Sequence, residues 1–311
     1  MQILHGFNEN LPPFTGTVLT IGNYDGVHLG HQELLKCLVN EAAFFKVPSV
    51  VITFNPHPVK VLYPQRKTER LFDFQDQQEQ MEKLGVDFCI IQKFSKEFSQ
   101  LSAEDFFKDY LIKYLRPKTI VVGHDFSFGS QRTGNLDFLE RHCSENGIKL
   151  IIIPPFKLRG APVSSSRIRQ ALKAGELSEV KACLGRDFYL RGTVEKGFQR
   201  GRTIGVPTAN ITPDIEFVPR LGVYFTLAWI QGVAKPSITN IGMNPTVSDT
   251  TNLKIETHIF DFSEQIYDQP IAVSLLKFWR DERKFSGIEE LKQQIQLDLI
   301  EARNYFAGAK K

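Results

Sequence analysis

The feature that most constrains this chain is a change of hydrophobic period near residue 186. Before it, short runs rich in Val and Ile at 17–21, 49–54, 87–91, 119–122 and 148–153 alternate with helical-period stretches over 28–45, about 67–84, 103–115 and 136–146. The runs are continuous rather than alternating, as strands are when helices cover both faces of a sheet. Strand and helix in alternation predict an α/β doubly wound parallel sheet. One more helix follows Ser166 and ends near residues 184–185. Beyond residue 186, Gly and Thr become frequent, and short runs appear at 189–194, 222–230, 237–241, 255–260 and 271–278. These predict a small antiparallel β-barrel or sandwich. An amphipathic helix over 287–306 closes the chain, with Leu291, Ile295, Leu297, Leu299 and Ile300 as its core candidates. The expected domains are therefore 1–185 and 186–311, in keeping with a length of 311 residues.

Composition excludes several classes. With 42% hydrophobic and 23% charged residues, each half can bury a core. A net charge of only +3 does not make a broadly basic nucleic-acid surface. The longest apolar run, 150–156, is broken by Pro154 and Pro155 and is too short to cross a membrane. No Lys or Arg precedes Lys36, so the opening does not read as a secretory leader. Cys37, Cys89, Cys143 and Cys183 form no CxxC pair and read as reduced thiols of a cytoplasmic protein. Nothing here sets an oligomeric state.

The sharpest local motif is Gly22-Asn23-Tyr24-Asp25-Gly26-Val27-His28-Leu29-Gly30-His31, between a predicted strand and a predicted helix. Gly22 and Gly26 suit a tight turn and close approach of a phosphate to the backbone. The helix N-terminus adds unpaired N–H groups and a positive dipole end. His28 and His31, three residues apart, can share a helix face and stabilise charge on a triphosphate. A zinc pair would need a third ligand nearby, and none of the usual kind follows.

Three further segments fall at strand ends. Asn55-Pro56-His57-Pro58 is a rigid loop with no catalytic assignment. In Gly123-His124-Asp125-Phe126-Ser127-Phe128-Gly129, Phe126 and Phe128 either stack on a flat ring or join the core beside a turn, and Asp125 would hold a polar edge. Ser164, Ser165 and Ser166 cap the last helix of this half, and Arg167 and Arg169 are placed to neutralise phosphates.

The second half has its own cluster. Gly197, Gly201 and Arg202 lead into Gly205-Val206-Pro207-Thr208-Ala209-Asn210. Glycines beside basic residues suit a loop over phosphates, or simply hairpin turns. Thr208 and Asn210 supply hard oxygens suited to Mg²⁺. Glu256, in Glu256-Thr257-His258, is either a general base or an exposed strand residue. Arg280, Asp281 and Glu282 read by composition as a solvated charge cluster.

Together these segments resemble the prokaryotic bifunctional riboflavin kinase/FMN adenylyltransferase (FAD synthetase) family. The resemblance covers almost the whole chain. It rests on GNYDGVHLGHQ, TFNPHP, VVGHDFSFGSQRTG, VSSSRIR, GTVEKGFQRGRTIGVPTANI, NIGMNPTV, ETHIFDF and FWRDERKF, in the family's order. Departures are small: Tyr24 for Phe, Asn55 for Glu, Ser166 for Thr and Val206 for Phe. The resemblance implies ATP-dependent phosphorylation of riboflavin to FMN by the C-terminal domain. It also implies transfer of AMP from ATP to FMN by the N-terminal domain, giving FAD and pyrophosphate. It implies that Thr208 and Asn210 hold Mg²⁺–ATP, that Glu256 activates the ribityl hydroxyl, and that Arg280 and Glu282 lie near the flavin. Gly197 and Arg202 would contact that ATP. In the other domain it implies that Gly22, Asp25, Gly26, His28, Gly30 and His31, with Ser164, Ser165, Arg167 and Arg169, bind ATP. Asp125, Phe126 and Phe128 would face FMN. Two other classes compete: a nucleotidyltransferase with another acceptor and a passive barrel, and a flavin carrier without turnover.

Overall fold

The structure is a computed structural model that describes residues 1–66, 69–196, 205–213, 216–244 and 252–308. The chain divides into two compact units, Met1–Ser165 and Ser166–Lys311.

In the first unit, β1 (Gln2–His5), β2 (Thr17–Ile21), β3 (Ser49–Phe54), β4 (Phe88–Gln92), β5 (Pro117–Gly123) and β6 (Lys149–Ile153) form one parallel sheet in the order β1-β4-β3-β2-β5-β6. Successive strand residues go to opposite faces. Leu19, Val50, Ile52, Ile120 and Val122 bury against Phe106, Phe107, Leu111 and Leu139. Val18, Val51, Cys89 and Val121 bury against Leu34, Leu35, Leu38 and Met81. Two covered faces are the physical reason these strands carry no polar alternation. β1 was not expected: its two half-buried apolar residues, Ile3 and Leu4, give too short a signal for a sheet-edge strand. The polar helix expected over about 67–84 is Phe74–Lys83, capped by Asp73, whose carboxylate accepts from Asp76 N. The helix over 103–115 forms, but from Phe106 to Leu115 it takes wide π-type turns.

In the second unit, β9 (Phe188–Glu195), β10 (Ala209–Pro213), β11 (Gly222–Ile230), β12 (Val233–Asn244), β13 (Asn252–Ile259) and β14 (Pro270–Arg280) close into an antiparallel barrel, β10-β13-β12-β11-β14-β9. The strand labels β7 (Lys157–Leu158) and β8 (Ala161–Pro162) belong to a two-stranded ribbon of the first unit. β10 takes in Ala209 and Asn210, the last two residues of the Gly205–Asn210 segment. The frequent threonines have a use inside the barrel: the buried hydroxyls of Thr226, Ser237, Thr239 and Thr257 bond to one another at 2.7–3.0 Å across β11, β12 and β13.

The single helix expected after Ser166 is two, Ser165–Ala174 and Leu177–Leu184. Gly175 separates them at φ +79°, and a Cβ there would lie 3.0 Å from the Phe278 ring. Both helices group with the barrel unit, apart from Ser165 itself. The closing helix is Ile288–Gly308. Two of its expected core residues are not core: Leu297 and Ile300 are 57% and 54% exposed. Its buried positions are Asp298 and Ala302, with Leu299, Tyr305 and Phe306 packed on Val223, Phe225, Ile238 and Phe260. A charged residue takes an inward position there because a barrel arginine meets it. Among the described residues, no helix is long and apolar enough to cross a membrane.

Candidate active sites

From β2 the chain runs through β3 and β4 on one side of the sheet, then returns to β5 on the other. Neighbouring β2 and β5 thus flank a topological switch point, where open α/β sheets bind ligands outside the strand C-termini. The loops leaving those two strands carry the predicted site residues.

After β2, Gly22 N donates to Ile52 O and Tyr24 and Val27 sit buried at φ +50° and +39°. His28 becomes the N-cap of helix Leu29–Phe45, its Nδ1 accepting from His31 N at 3.3 Å. The two imidazoles stack with centroids 3.7 Å apart and planes 15° apart. Gly30 passes close beneath: a Cβ there would lie 3.2 Å from the His28 ring. His31 Nδ1 is buried and has no hydrogen-bond partner among the described residues. Burial, and then the His28 charge, hold His31 well below the ordinary imidazole range. The pair therefore presents one neutral ring with an unused nitrogen at a helix N-terminus, a place suited to an anion. Tyr24, where the resemblance expects Phe, closes the other side. Its ring is 5.2 Å from His31, and its hydroxyl pairs with buried Thr20 Oγ1 at 2.7 Å.

Asp25 is a brace within this loop. Its carboxylate accepts from Leu71 N at 3.0 Å, and its carbonyl accepts from Ser165 Oγ at 2.8 Å. Gln32 Nε2 donates to Val27 O at 2.9 Å, and Gln77 Nε2 donates to Asn23 O. Neither glutamine is distinguished in the sequence.

After β5, the Asp125 side chain is exposed, 3.9 Å from His124 Nδ1. Phe126 and Phe128 stack at 5.6 Å and 25°. Phe128 also meets Phe106 and Phe138 at 5.5 and 5.7 Å. Both rings are half-buried and pack against the core beside the turn. Ser164 and Ser165 end this unit. Arg167 and Arg169 belong to the second unit, where Arg167 Nη2 lies 2.5 Å from Glu179 Oε1.

In the barrel, cross-strand register gathers the other residues. Asn210 stands opposite Glu195 on one side and Glu256 on the other, and Glu256 stands opposite Asn240. Directly opposed residues share a face. Ile255 and Thr257 are buried, which leaves this row of carboxylates and carboxamides on the outer face. Thr208 lies one step before β10. Lys254, two residues along β13, places Nζ 2.7 Å from Glu256 Oε1. Opposite Lys254 is Gly242. A Cβ on Gly242 would come 2.2 Å from Glu282 Oε1, so the absent side chain is the seat on which Glu282 lies. Asn240 Nδ2 reaches the same oxygen at 3.4 Å.

The charge cluster at the end of β14 is paired, while Asp281 and Glu282 stay exposed. Arg280 makes a paired contact with buried Asp298, at 3.0 and 2.7 Å, and Trp279 Nε1 donates to the same carboxylate at 3.1 Å. Asp281 accepts two bonds from Arg220, at 2.9 and 2.8 Å. The sequence gives Asp298 no distinguishing motif, only an inward helical position. The Thr208 hydroxyl, Asn210 carboxamide and Glu256 carboxylate are hard oxygen donors of the kind Mg²⁺ takes, so the residues fit that ion. Gly197 and Arg202 lie outside the described residues.

A parallel sheet with an anion-ready helix start at its switch point, followed by a barrel with an acid–amide row, defines a two-domain phosphate-handling transferase. The comparisons agree unit by unit. Residues 12–167 match the model of the FAD synthetase family and residues 184–306 that of riboflavin kinase. The chain is 35% identical over 314 aligned positions to the bifunctional riboflavin kinase/FMN adenylyltransferase of Escherichia coli K12, covering 100% of this chain and 99% of the relative. It is 36% identical to the protein of that name from Listeria monocytogenes, covering 93% and 92%. A crystal structure described as a macrolide-efflux protein from Streptococcus pneumoniae superposes with TM-score 0.89 at 32% identity, covering 98% and 99%. The chain belongs to the bifunctional riboflavin kinase/FMN adenylyltransferase family.

Proposed function

We propose that the barrel domain phosphorylates riboflavin to FMN with ATP, and that the sheet domain transfers AMP from ATP to FMN, releasing pyrophosphate and FAD. The observation that carries this reading is the pairing of a switch-point histidine stack in one domain with the Asn210–Glu256 register in the other.

In the kinase reaction Glu256 takes the proton from the ribityl 5′-hydroxyl as that oxygen attacks the terminal phosphorus of ATP, and ADP leaves. Lys254 Nζ, 2.7 Å from the carboxylate, holds the base in place until substrate arrives. Thr208 and Asn210 would hold Mg²⁺ with ATP, and the cation would neutralise charge on the phosphates. Glu282, seated on Gly242, faces the flavin end of the same surface. In the adenylyltransferase reaction the FMN phosphate attacks the α-phosphorus of ATP. His28 and His31 bind the phosphates beside the helix N-terminus, while Phe126 offers a flat apolar surface to a ring. Neither step needs a covalent enzyme intermediate, so positioning and charge neutralisation supply the rate. We place the protein in the cytoplasm, where both nucleotides are made and used.

The test is separation of products after incubating the protein with riboflavin, ATP and Mg²⁺. FMN followed by FAD is expected. FMN alone would refute the adenylyltransferase assignment, and unchanged riboflavin would refute the kinase.

A further inference from the structure

His258 does not appear in the mechanism above, yet it occupies a pivotal place in the barrel. The register sets Asn210 opposite Glu256 and Ala209 opposite Thr257, so Thr208 lies just beyond the paired end of β10, toward His258 of β13. Thr208, just before β10, and Asn210 within it thus form a block with His258 and Glu256 of β13. Within that block His258 Nδ1 contacts the carbonyl of Pro207 at 2.7 Å. A carbonyl only accepts, so Nδ1 carries the hydrogen and Nε2 is left as the lone-pair nitrogen. The ring is also fixed sideways, edge-on to Phe260 at 5.5 Å, and Phe260 belongs to the cluster under the closing helix. Burial holds the imidazole below its ordinary range, with the Pro207 bond opposing, so the neutral tautomer is the resting one.

Pro207 donates no hydrogen bond, and ladder pairing to β13 begins only at Ala209. The segment that delivers Thr208 therefore reaches β10 with one side-chain tether in place of a ladder bond. We propose that His258 is a positioning residue of the kinase site: by holding the Pro207 carbonyl it sets the Thr208 hydroxyl at a fixed distance from Glu256 across the β10–β13 seam. The inference rests on the kinase reading of the barrel. It adds a residue that touches neither substrate but decides whether the Thr208–Asn210 oxygens converge.

The geometry gives a discriminating set of substitutions. An asparagine amide can stand where Nδ1–H stands and still donate to Pro207, whereas a glutamine amide reaches the Nε2 position instead. His258→Asn, His258→Gln and His258→Ala are compared with wild type in the full chain. Riboflavin phosphorylation is followed against Mg²⁺ at fixed ATP, and against riboflavin. Residues that orient a metal ligand typically contribute 10–100-fold to metal affinity. The Gln and Ala variants are accordingly expected to need on the order of 10-fold more Mg²⁺, with the riboflavin KM unmoved and FAD formation from supplied FMN intact. The Asn variant should stay within about twofold of wild type on the same scale. Amide hydrogen exchange over residues 208–211 gives a second readout that needs no turnover, faster in Gln and Ala and restored in Asn. Equal impairment of Asn and Gln, wild-type behaviour of all three, or a shift in riboflavin KM alone would overturn the proposal. A wild type that makes no FMN would instead strike the kinase reading, and the exchange pattern would still decide the tether.

Discussion

Asn210 and Glu256 face each other directly across the β10–β13 ladder, on the outer side of a closed barrel. The proposed cation ligand and the proposed base are thereby held one strand spacing apart by the backbone ladder. Removing the proton acceptor while keeping its shape isolates its role. Glu256→Gln is expected to slow FMN formation by ~10²–10⁴-fold, the usual worth of a general base. Riboflavin binding, the thermal melt and FAD formation from FMN should hold. Loss of both activities together, or of neither, would remove Glu256 as the base.

The proposed function gives the histidine stack to the other reaction. Replacing His28 and His31 together by Ala should depress FAD formation by on the order of 10²-fold or more, as loss of preorganised donors does. FMN formation should barely change. Since His28 Nδ1 also caps its helix, part of the effect will appear as a lower melting temperature of the sheet domain. Near-normal adenylylation by the double variant would exclude both rings from catalysis.

The depressed His31 also predicts how acid acts on the protein. Its ordinary value is 6.5, and burial keeps it well below that when folded. Between those two values the unfolded chain binds a proton that the folded chain does not, so stability rises with pH there. The contribution is constant above the ordinary value and is lost as pH falls through 6.5, until the folded value is reached. Melting temperatures from about pH 7.5 to about pH 5 should fall less in His31→Gln than in wild type. Parallel slopes would show that His31 is not the group responsible.

A fragment comparison tests where the kinase domain starts. A piece from Ser166 keeps the helices Ser165–Ala174 and Leu177–Leu184 almost whole, whereas one from Arg186 loses them. The lost part includes buried Leu177, Val180, Cys183 and Leu184, the Gly175 contact with Phe278, and the Arg220 bond to Ala174 O at 2.9 Å. Each buried aliphatic side chain contributes about 1.5–3 kcal/mol. We expect the 166–311 fragment to fold and make FMN without FAD, and the 186–311 fragment to melt at clearly lower temperature. Equal melts would return the boundary to residues 184–187.

Much of this fold is legible in the sequence because its signals are local. The Val/Ile runs of β2 to β6 declare a sheet covered on both faces, and the Gly22–His31 segment declares its switch-point loop. What escaped depends on partners distant in sequence. β1 is a strand only because Ile3 and Leu4 find β4. Leu297 and Ile300 fit an apolar face by period, but Arg280 draws Asp298 inward and rotates the helix away from them. His57 reads as a loop histidine and proves to be a cap, its Nδ1 accepting from Val59 N at 3.2 Å. The seat of Glu282 on Gly242 is invisible as well, since 40 positions separate the two.

The end of β14 carries a consequence for anyone substituting residues 280–282 to test the proposed flavin contact. Three consecutive residues are moored to three different parts of the barrel domain: Arg280 to the closing helix through Asp298, Asp281 to Arg220, and Glu282 to Asn240. A substitution at one of them moves the backbone on which the other two depend. Epistasis is therefore built into this stretch, and residues in one such network couple by about 0.5–3 kcal/mol. Libraries that vary 280, 281 and 282 one at a time will miss combinations that work together, and changes at Asp298 or Arg220 will act on the same stretch.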